Sequence, residues 1–300
     1  MGICDGRVVI VTGAGRGLGR AHAIELGRQG ARVLVNDLGV ANDGSGGGAG
    51  PAEEVAAEIR GAGGDSLASQ DDISDWEASG KMVAAAIARW GRLDAVVNNA
   101  GFVRDRMFVS ASVDEWDVIM RVHLRGHFCA ARHAAAHWRD RKKAGDDVDA
   151  RIINTTSGAG LLGSIGQSAY STAKAGIVGL TLVQAAELQR YGVTANAIAP
   201  AARTRMTEAV FAGMMKAPET GFDAMAPENV APFIAWLCST DSRGVTGRVF
   251  EISGGKISVA DGVHTTAEID VGRRWDCSEI GPTVRGLLEK AAVPGKVYGT

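Results

Sequence analysis

Short runs of apolar residues alternate with longer stretches of helical periodicity over most of the chain. The run at residues 7–12 (RVVIVT) is apolar at nearly every position, so both faces of an extended strand would be buried. Such strands are typical of a parallel sheet covered by helices on each side. We predict strands at residues 7–12, 31–37, 66–69, 93–98, 151–156, 193–198 and 248–252. We predict helices at residues 18–30, 51–61, 74–90, 114–138, 168–190 and 227–237.

The alternation of strand and helix predicts an α/β fold with a doubly wound parallel sheet, the Rossmann arrangement. Polar residues before two of the helices are suited to capping. Ser74 stands before the third helix, and Ser112 with Glu115 has the spacing of a capping box before the fourth.

Two stretches depart from this alternation. Residues 39–50 form a glycine-rich loop after the second strand, and residues from 256 onward lack periodicity apart from a short helical stretch at 284–292. We therefore predict one catalytic domain at residues 1–256 and a C-terminal extension at 257–300 that packs on the same domain.

Composition narrows the class of protein. The 300 residues are 46% hydrophobic and carry a formal net charge of −2, which gives no reason to expect binding to nucleic acid or to an anionic membrane. The four cysteines form no CxxC pair, and no apolar run approaches the roughly 18 residues of a membrane span. The chain reaches its first strand within a few residues, which leaves no room for a signal peptide. We expect a reduced, cytoplasmic protein.

A glycine-rich loop joins the first predicted strand to the first helix, in the sequence TGAGRGLG at residues 12–19. Glycines let the backbone approach a ligand, and the helix N-terminus offers free N–H groups to a pyrophosphate. Such turns also occur for packing reasons alone. The predicted cofactor contacts in this loop are Gly13, Gly15, Arg16, Gly17, Leu18 and Gly19.

Asp37 ends the second strand about 20 residues beyond the loop, where a carboxylate can accept hydrogen bonds from both ribose hydroxyls. It would repel a 2′-phosphate, so the predicted cofactor is NAD; the alternative is an ordinary turn residue before Gly39. Asp72 and Ile73 follow the third strand and could meet the adenine edge, or Asp72 could be a solvated loop acid.

The fourth strand ends in Asn98-Asn99-Ala100-Gly101. Small residues and amides at Asn99, Ala100 and Gly101 suit close approach to adenosine, although Asn and Gly also mark ordinary turns.

Tyr170 and Lys174 lie four residues apart, on one face of a predicted helix. Oxidation of an alcohol requires a base, and lowering the pKa of a tyrosine by about three units takes roughly 4 kcal/mol. One cation about 4 Å away supplies about that much at an effective dielectric near 20. We therefore expect Tyr170 to act as general base in oxidation and general acid in reduction, with Lys174 lowering its pKa. Ser157 would orient the substrate oxygen.

The helix at 114–138 carries two histidine pairs with i, i+4 spacing, His123/His127 and His133/His137. This spacing can support a metal site. No Glu-x-x-His pattern or cysteine joins them, so we predict no metal.

These motifs resemble the short-chain dehydrogenase/reductase family: TGAGRGLG is similar to its TGxxxGxG loop, NNAG is present, and Ser157, Tyr170 and Lys174 match its Ser…YxxxK set. The resemblance covers residues 5–256 and implies a nicotinamide-dependent oxidoreductase. It also implies that Pro200 and Thr204 lie near the nicotinamide amide. A homodimer or homotetramer formed through the helices at 114–138 and 168–190 is a further implication.

His123 stands where the family usually has a catalytic Asn. It could position the same water and relay protons, or it could bind a backbone carbonyl and only shape the helix. The stretches VNDLG, NNAGFVRDRMF and RVHLRGHF resemble the dehydrogenase domains of peroxisomal multifunctional enzymes of type 2, which also have His in this place. That resemblance implies NAD-linked oxidation of a (3R)-3-hydroxyacyl-CoA by a stand-alone dehydrogenase.

Other functions stay open at this point. A 17β-hydroxysteroid or another bulky alcohol is the alternative substrate, and a catalytically silent NAD-binding sensor or scaffold is an alternative of another class. CoA phosphates could meet Arg104, Arg106, Arg203 and Arg205, and a lid at 204–221 would carry Met206, Phe211, Met214 and Met215.

Overall fold

Eight strands form one sheet in the order β3-β2-β1-β4-β5-β6-β7-β8. The structure is a computed structural model, and it describes residues 2–40, 48, 50–204, 216–260, 262–293 and 295–299. The strands are β1 Val8–Thr12, β2 Arg32–Asn36, β3 Asp65–Ser69, β4 Ala95–Asn98, β5 Ala150–Thr155, β6 Val193–Ala201, β7 Val249–Ser253 and β8 Lys256–Ala260. The first seven are parallel to one another, which confirms the doubly wound sheet.

Helices cover both faces of this sheet. They are α1 Gly17–Arg28, α2 Gly50–Gly61, α3 Trp76–Trp90, α4 Val113–Ile119, α5 Gly126–Lys143, α6 Gly158–Leu162, α7 Ser168–Leu188, α8 Ala231–Cys238 and α9 Cys277–Leu288. Two buried apolar clusters result, one on each face, because alternate residues of β1 point in opposite directions: Val9 and Val11 join one cluster, Val8 and Ile10 the other.

Two expectations about the C-terminal part were wrong. Residues 256–260 form β8, which runs antiparallel to β7 and so departs from the parallel pattern. These residues (KISVA) are exposed or half-buried at the edge of the sheet. Because the strand is not buried on both faces, its sequence has no continuous apolar run. The helix expected at 284–292 begins earlier, at Cys277, because Asp276 and Glu279 form a capping box there.

The long helix expected at 114–138 is also interrupted. The capping box of Ser112 and Glu115 is present at the start of α4, but a π-helical turn at Met120–Arg125 separates α4 from α5. π-turns frequently occur at functional sites, and this one contains His123. The cap of α3 also differs from expectation: Asp75, and not Ser74, accepts the hydrogen bond from Ala78.

Within the described ranges, no helix is long and apolar enough to cross a bilayer. The last described residues, 295–299, lie against the loop that follows α6, through a parallel β-bridge between Ser164 and Tyr298.

Candidate active site

A cleft of about 1010 Å³ opens where the carboxyl ends of the parallel strands meet the following loops. Ligands of doubly wound sheets bind at this edge. Of the predicted site residues, all but Gly15 line the cleft: Gly13, Arg16, Gly17, Leu18, Gly19, Asp37, Asp72, Ile73, Asn99, Ala100, Gly101, His123, Ser157, Tyr170, Lys174, Pro200 and Thr204. The topology thus brings the nucleotide residues and the proton-handling residues into one space.

Hydrogen bonds of the Thr12 and Asn99 side chains hold the glycine loop against the end of β4. The Thr12 hydroxyl accepts hydrogen bonds from the backbone N–H groups of Asn99 (3.0 Å) and Ala100 (3.2 Å). The Asn99 amide donates to the carbonyl oxygens of Thr12 (3.0 Å) and Gly13 (3.1 Å). Asn99 therefore ties β1 to β4, and its amide is engaged in shaping the loop.

Close packing explains why glycines occupy the loop. A methyl group on Gly19 would lie 2.1 Å from the Gly13 carbonyl oxygen, and one on Gly13 would lie 2.6 Å from Ala100 Cα. Gly17 has a φ of +52°, and a methyl group there would face Thr204 at 3.4 Å. The loop can therefore present backbone at the N-terminus of α1 without obstruction.

Asp37 is bound to the loop from the end of β2. Its carboxylate accepts hydrogen bonds from the N–H groups of Gly15 and Gly39, both at 2.8 Å. A methyl group on Gly15 would lie 2.8 Å from Asp37 Oδ2, so Gly15 faces Asp37 and is not part of the lining. The carboxylate lines the cleft in a fixed orientation.

Asp72 and Ile73, which follow β3, also line the cleft. Asp72 accepts hydrogen bonds from the N–H (2.8 Å) and hydroxyl (2.7 Å) of Ser74 and lies 3.8 Å from the Arg121 guanidinium. Asp72 thus shapes a turn as well as lining the cleft. Ile73 is buried and packs against Gly126, at the start of α5.

Ser157 caps the short helix α6. Its hydroxyl oxygen accepts a hydrogen bond from the Ala159 N–H at 3.2 Å. Because this bond occupies a lone pair, the hydroxyl proton is available to be donated to an oxygen in the cleft. Ser157 also interacts with Tyr170, an interaction that lowers the pKa of the phenol.

Tyr170 and Lys174 lie one turn apart at the start of α7. Lys174 Nζ is 5.6 Å from the centre of the Tyr170 ring and donates a hydrogen bond of 2.6 Å to the carbonyl oxygen of Thr155. Burial raises the pKa of Tyr170, against the effect of Ser157, and lowers the pKa of Lys174 to about 7. Desolvation of both groups thus opposes the lowering of the Tyr170 pKa that we expected from Lys174, and that lowering stays a prediction.

His123 reaches the cleft from the π-turn. Its Nε2 lies 2.6 Å from the carbonyl oxygen of Phe102, and its ring meets the edge of Tyr170 with centroids 5.2 Å apart. Burial, with the charge of Lys174, lowers the pKa of His123 to about 3, so the imidazole is neutral. A methyl group on Gly101 would lie 2.2 Å from His123 Cε1, so Gly101 gives the ring its space.

Several buried polar atoms around these residues have no protein partner. They are His123 Nδ1, His127 Nδ1, Asn98 Oδ1 and Thr155 Oγ1. Buried polar groups are normally satisfied, often by ordered water. Phe102 and Thr155 line the cleft and were missed by sequence reasoning; the position of Thr155 at the end of β5, two residues before Ser157, was the signal that could have found it.

The histidine pairs have other contacts. His133 Nε2 lies 2.9 Å from the Trp76 carbonyl oxygen, and His127 Nε2 lies 3.4 Å from the Thr155 N–H. In the part of the chain that the structure describes, no three His, Cys, Asp or Glu side chains come together as metal ligands.

The arginines predicted for CoA phosphates differ in their surroundings. Arg106 pairs with Glu115 at 2.9 Å, Arg203 pairs with Asp223, and the Arg104 guanidinium lies 5.9 Å from the centre of the Phe102 ring. Arg104 and Arg106 border both the main cleft and an adjoining one of about 730 Å³. Arg205 and the lid residues Met206, Phe211, Met214 and Met215 lie outside the described residues.

Comparison with known proteins agrees with this geometry. The family model described as short chain dehydrogenase matches residues 7–214. The chain is 42% identical to the hydroxyacyl-CoA dehydrogenase ChsB1 of Mycobacterium tuberculosis over 94% of its length and 88% of that protein.

Two further matches bear on length and shape. The chain is 45% identical to the peroxisomal multifunctional enzyme type 2 of Mus musculus over 84% of its length, and this match spans only 32% of the mouse protein. The crystal structure of a short chain dehydrogenase from Mycobacterium avium is 55% identical, with a TM-score of 0.90 and full coverage of both chains.

Proposed function

The chain belongs to the short chain dehydrogenase family and is an oxidoreductase acting on CH–OH groups, and we propose that it oxidises a (3R)-3-hydroxyacyl-CoA to the 3-ketoacyl-CoA with NAD. The observation that carries the proposal is the presence of Ser157, Tyr170 and Lys174 in the same cleft as the glycine loop. A scaffold or sensor would need the loop but not these three side chains.

Tyr170 removes the hydroxyl proton of the substrate. The Ser157 hydroxyl, whose oxygen already accepts the Ala159 N–H, donates to the substrate oxygen and stabilises the charge that develops on it. NAD, when bound, would supply the acceptor for the hydride that leaves the carbon bearing this hydroxyl. The products are the ketone, a reduced nicotinamide and one proton held by the protein.

Lys174 governs the release of that proton. With a pKa of about 7, its amine exchanges a proton near neutrality, and the Thr155 carbonyl holds it beside Tyr170. Because the two groups are close, the first proton lost belongs to the pair and not to either side chain alone. The pair is ready for oxidation once that proton has gone.

His123 serves as the fourth member of the site. Its Nε2 lies 2.6 Å from the Phe102 carbonyl oxygen and 3.1 Å from the Phe102 N–H, and in the tautomer that donates from Nε2 to the carbonyl the buried Nδ1 is an acceptor. A water bound to Nδ1 would extend the proton path from Lys174, the part that an Asn usually plays in the family. The bond to Phe102 also shapes the π-turn, so His123 has both functions.

The cofactor assignment depends on Asp37. Its carboxylate is fixed by two backbone N–H groups at the end of β2, where it can accept bonds from ribose hydroxyls and repel a 2′-phosphate. Arg16 lines the same cleft and is the residue that would favour a 2′-phosphate. Asp37 accepts the Gly15 N–H of the loop at 2.8 Å and is held in place by it, so NAD is the proposed cofactor.

The substrate class is supported by the relatives, of which one is named a hydroxyacyl-CoA dehydrogenase. Arg104 and Arg106 at the rim of the cleft suit the phosphates of CoA. A 17β-hydroxysteroid is the alternative substrate. The cytoplasmic location, the homodimer or homotetramer, and the division at residue 256 stay predictions.

The test is a screen of NAD reduction over (3R)- and (3S)-3-hydroxyacyl-CoAs of several chain lengths and a 17β-hydroxysteroid. We expect turnover of (3R)-thioesters, with the (3S) series at least about tenfold slower. Turnover of the steroid alone would replace the substrate proposal. NAD binding without turnover of any alcohol would favour the sensor.

A further inference from the structure

The C-terminal segment, residues 295–299, packs on the outside of the wall that carries Ser157. The Ile165 N–H donates to the Tyr298 carbonyl at 2.9 Å, and the Tyr298 N–H donates to the Gly163 carbonyl at 3.1 Å. These bonds form the parallel bridge of Ser164 with Tyr298. The segment is therefore tied to the loop that follows α6 by one β-bridge.

The side chain of Tyr298 extends from this segment to Gly158. A methyl group on Gly158 would lie 2.5 Å from Tyr298 Oη, 2.8 Å from Cε2 and 2.9 Å from Cζ, and these are its three nearest neighbours. Gly158 directly follows Ser157 and is the first residue of α6. The tyrosine ring thus covers the backbone beside the serine hydroxyl.

The loop that follows α6 is also bound by residues 105–106, which line the cleft. The Arg106 N–H donates to the Gly166 carbonyl at 2.7 Å, and the Gln167 amide donates to Asp105 at 2.9 Å. Residues 158–167 are consequently clamped between the segment at 105–106 and the C-terminal segment. Ser157 directly precedes the clamped residues, and Tyr170 follows them by three residues.

We infer that Tyr298 is a positioning residue for Ser157: its ring, held by the C-terminal segment, fixes the backbone at Gly158 and so directs the serine hydroxyl toward the substrate oxygen. Tyr298 does not line the cleft, so it acts through Ser157 and not by touching substrate. The inference rests on the role of Ser157 in the proposed function. It gives the extension beyond β8 a part in the reaction.

The first test compares steady-state oxidation by the full chain and by Tyr298→Ala. We expect kcat to fall about tenfold, since small misplacements of catalytic groups have effects of this order or larger, while the NAD dissociation constant stays within about twofold. Tyr298→Phe keeps the ring and should retain most of the activity. The matched control is Val293→Ala, because the Val293 side chain is 91% exposed and precedes the C-terminal segment by two residues.

A double-mutant cycle separates positioning from general loss of structure. In a Ser157→Ala background there is no hydroxyl to misplace, so Tyr298→Ala should change the residual kcat by less than about twofold. An equal tenfold loss in both backgrounds, or wild-type kcat in Tyr298→Ala, would overturn the inference. Wild-type turnover of Ser157→Ala alone would instead overturn the role of Ser157 in the proposed function.

Hydrogen exchange provides a readout that is independent of turnover. The Ile165 N–H depends on the Tyr298 carbonyl, so removal of residues 295–300 should speed exchange in the peptide covering 158–167 by at least about tenfold. Peptides from β1 and α1 serve as the internal control. Unchanged exchange in 158–167 would show that the segment does not hold the loop and would contradict the inference.

Discussion

The nucleotide side and the reaction side of the cleft are built on opposite principles. On the nucleotide side, the polar groups of Asp37 and Asn99 are paired with backbone at 2.8 to 3.1 Å. On the reaction side, His123 Nδ1 and Thr155 Oγ1 are buried without a protein partner, and burial lowers the pKa of Lys174 to about 7. Asp37 and Asn99 are satisfied by the fold itself, whereas His123 and Thr155 retain polar atoms that the fold does not satisfy.

This difference assigns separate tasks to the two sides. Paired groups give a rigid shape that a ligand can fit without reorganisation. Unpaired and desolvated groups have shifted pKa values, and such groups cluster where protons are moved. Substitutions on the reaction side should therefore affect turnover, and substitutions on the nucleotide side should affect cofactor choice.

The largest expected effect is that of Tyr170→Phe. Removal of the phenolic oxygen leaves no group to take the substrate proton, and general base catalysis contributes about 1,000-fold. We expect kcat for alcohol oxidation to fall by about that factor, with NAD affinity, measured by titration calorimetry, within about twofold of wild type. Tyr191→Phe, in the 3₁₀ turn after α7, is the matched control. Survival of turnover would show that another group removes the proton.

Sequence patterns predicted the nucleotide side better than the reaction side. The glycine loop and Asp37 lie within one strand–helix–strand unit, β1–α1–β2, so their spacing along the chain determines their spacing in space. The contact of His123 with Phe102 and Gly101 depends on a π-turn, which a helical periodicity of 3.6 residues does not reveal. The bridge of Tyr298 to Ser164 joins distant segments, which no local pattern encodes.

The balance of burial and charge was also beyond sequence reasoning. The spacing of Tyr170 and Lys174 correctly indicated that they share one helix face, but the direction of each pKa shift depends on how completely both are desolvated. The edge strand β8 was not predicted for a related reason. Its residues are exposed or half-buried, so they lack the apolar run by which the buried strands were identified.

A smaller effect is expected for Asp37→Ala, on the nucleotide side. Loss of the carboxylate removes hydrogen bonds to the ribose and the repulsion of a 2′-phosphate, so the ratio of kcat/KM for NAD over NADP should fall roughly tenfold to hundredfold. The turnover number with saturating NAD should change little. Asp71→Ala, an acid that lines the same cleft, is the control. An unchanged ratio would refute the role of Asp37.

The pH dependence of turnover tests the reaction side without large structural change. The Lys174 pKa of about 7 lies below its ordinary value, and the Tyr170–Lys174 pair must lose one proton before oxidation. Oxidation should therefore rise about tenfold per pH unit below about 7 and level off above it, and reduction should fall above the same point.

The check is kcat/KM measured in both directions between pH of about 5.5 and about 9. Lys174→Ala should lose the inflection near 7 together with most of the activity. His123→Asn should keep it, because burial lowers the pKa of His123 to about 3, outside the measured range. A flat profile for the wild-type protein would contradict the assignment of the proton to the pair.

Gly101→Ala should affect stability, at the boundary where the two sides of the cleft meet. The added methyl group would lie 2.2 Å from His123 Cε1, and overpacking of this kind lowers the free energy of unfolding by about 1 to 3 kcal/mol. In a His123→Asn background the ring carbon is absent, so the same methyl group should cost less than about 0.5 kcal/mol. Urea unfolding followed by circular dichroism measures both values. Gly61→Ala, with nothing within 4 Å of the added carbon, is the control, and equal costs in the two backgrounds would show that Gly101 serves the nucleotide side and not the histidine.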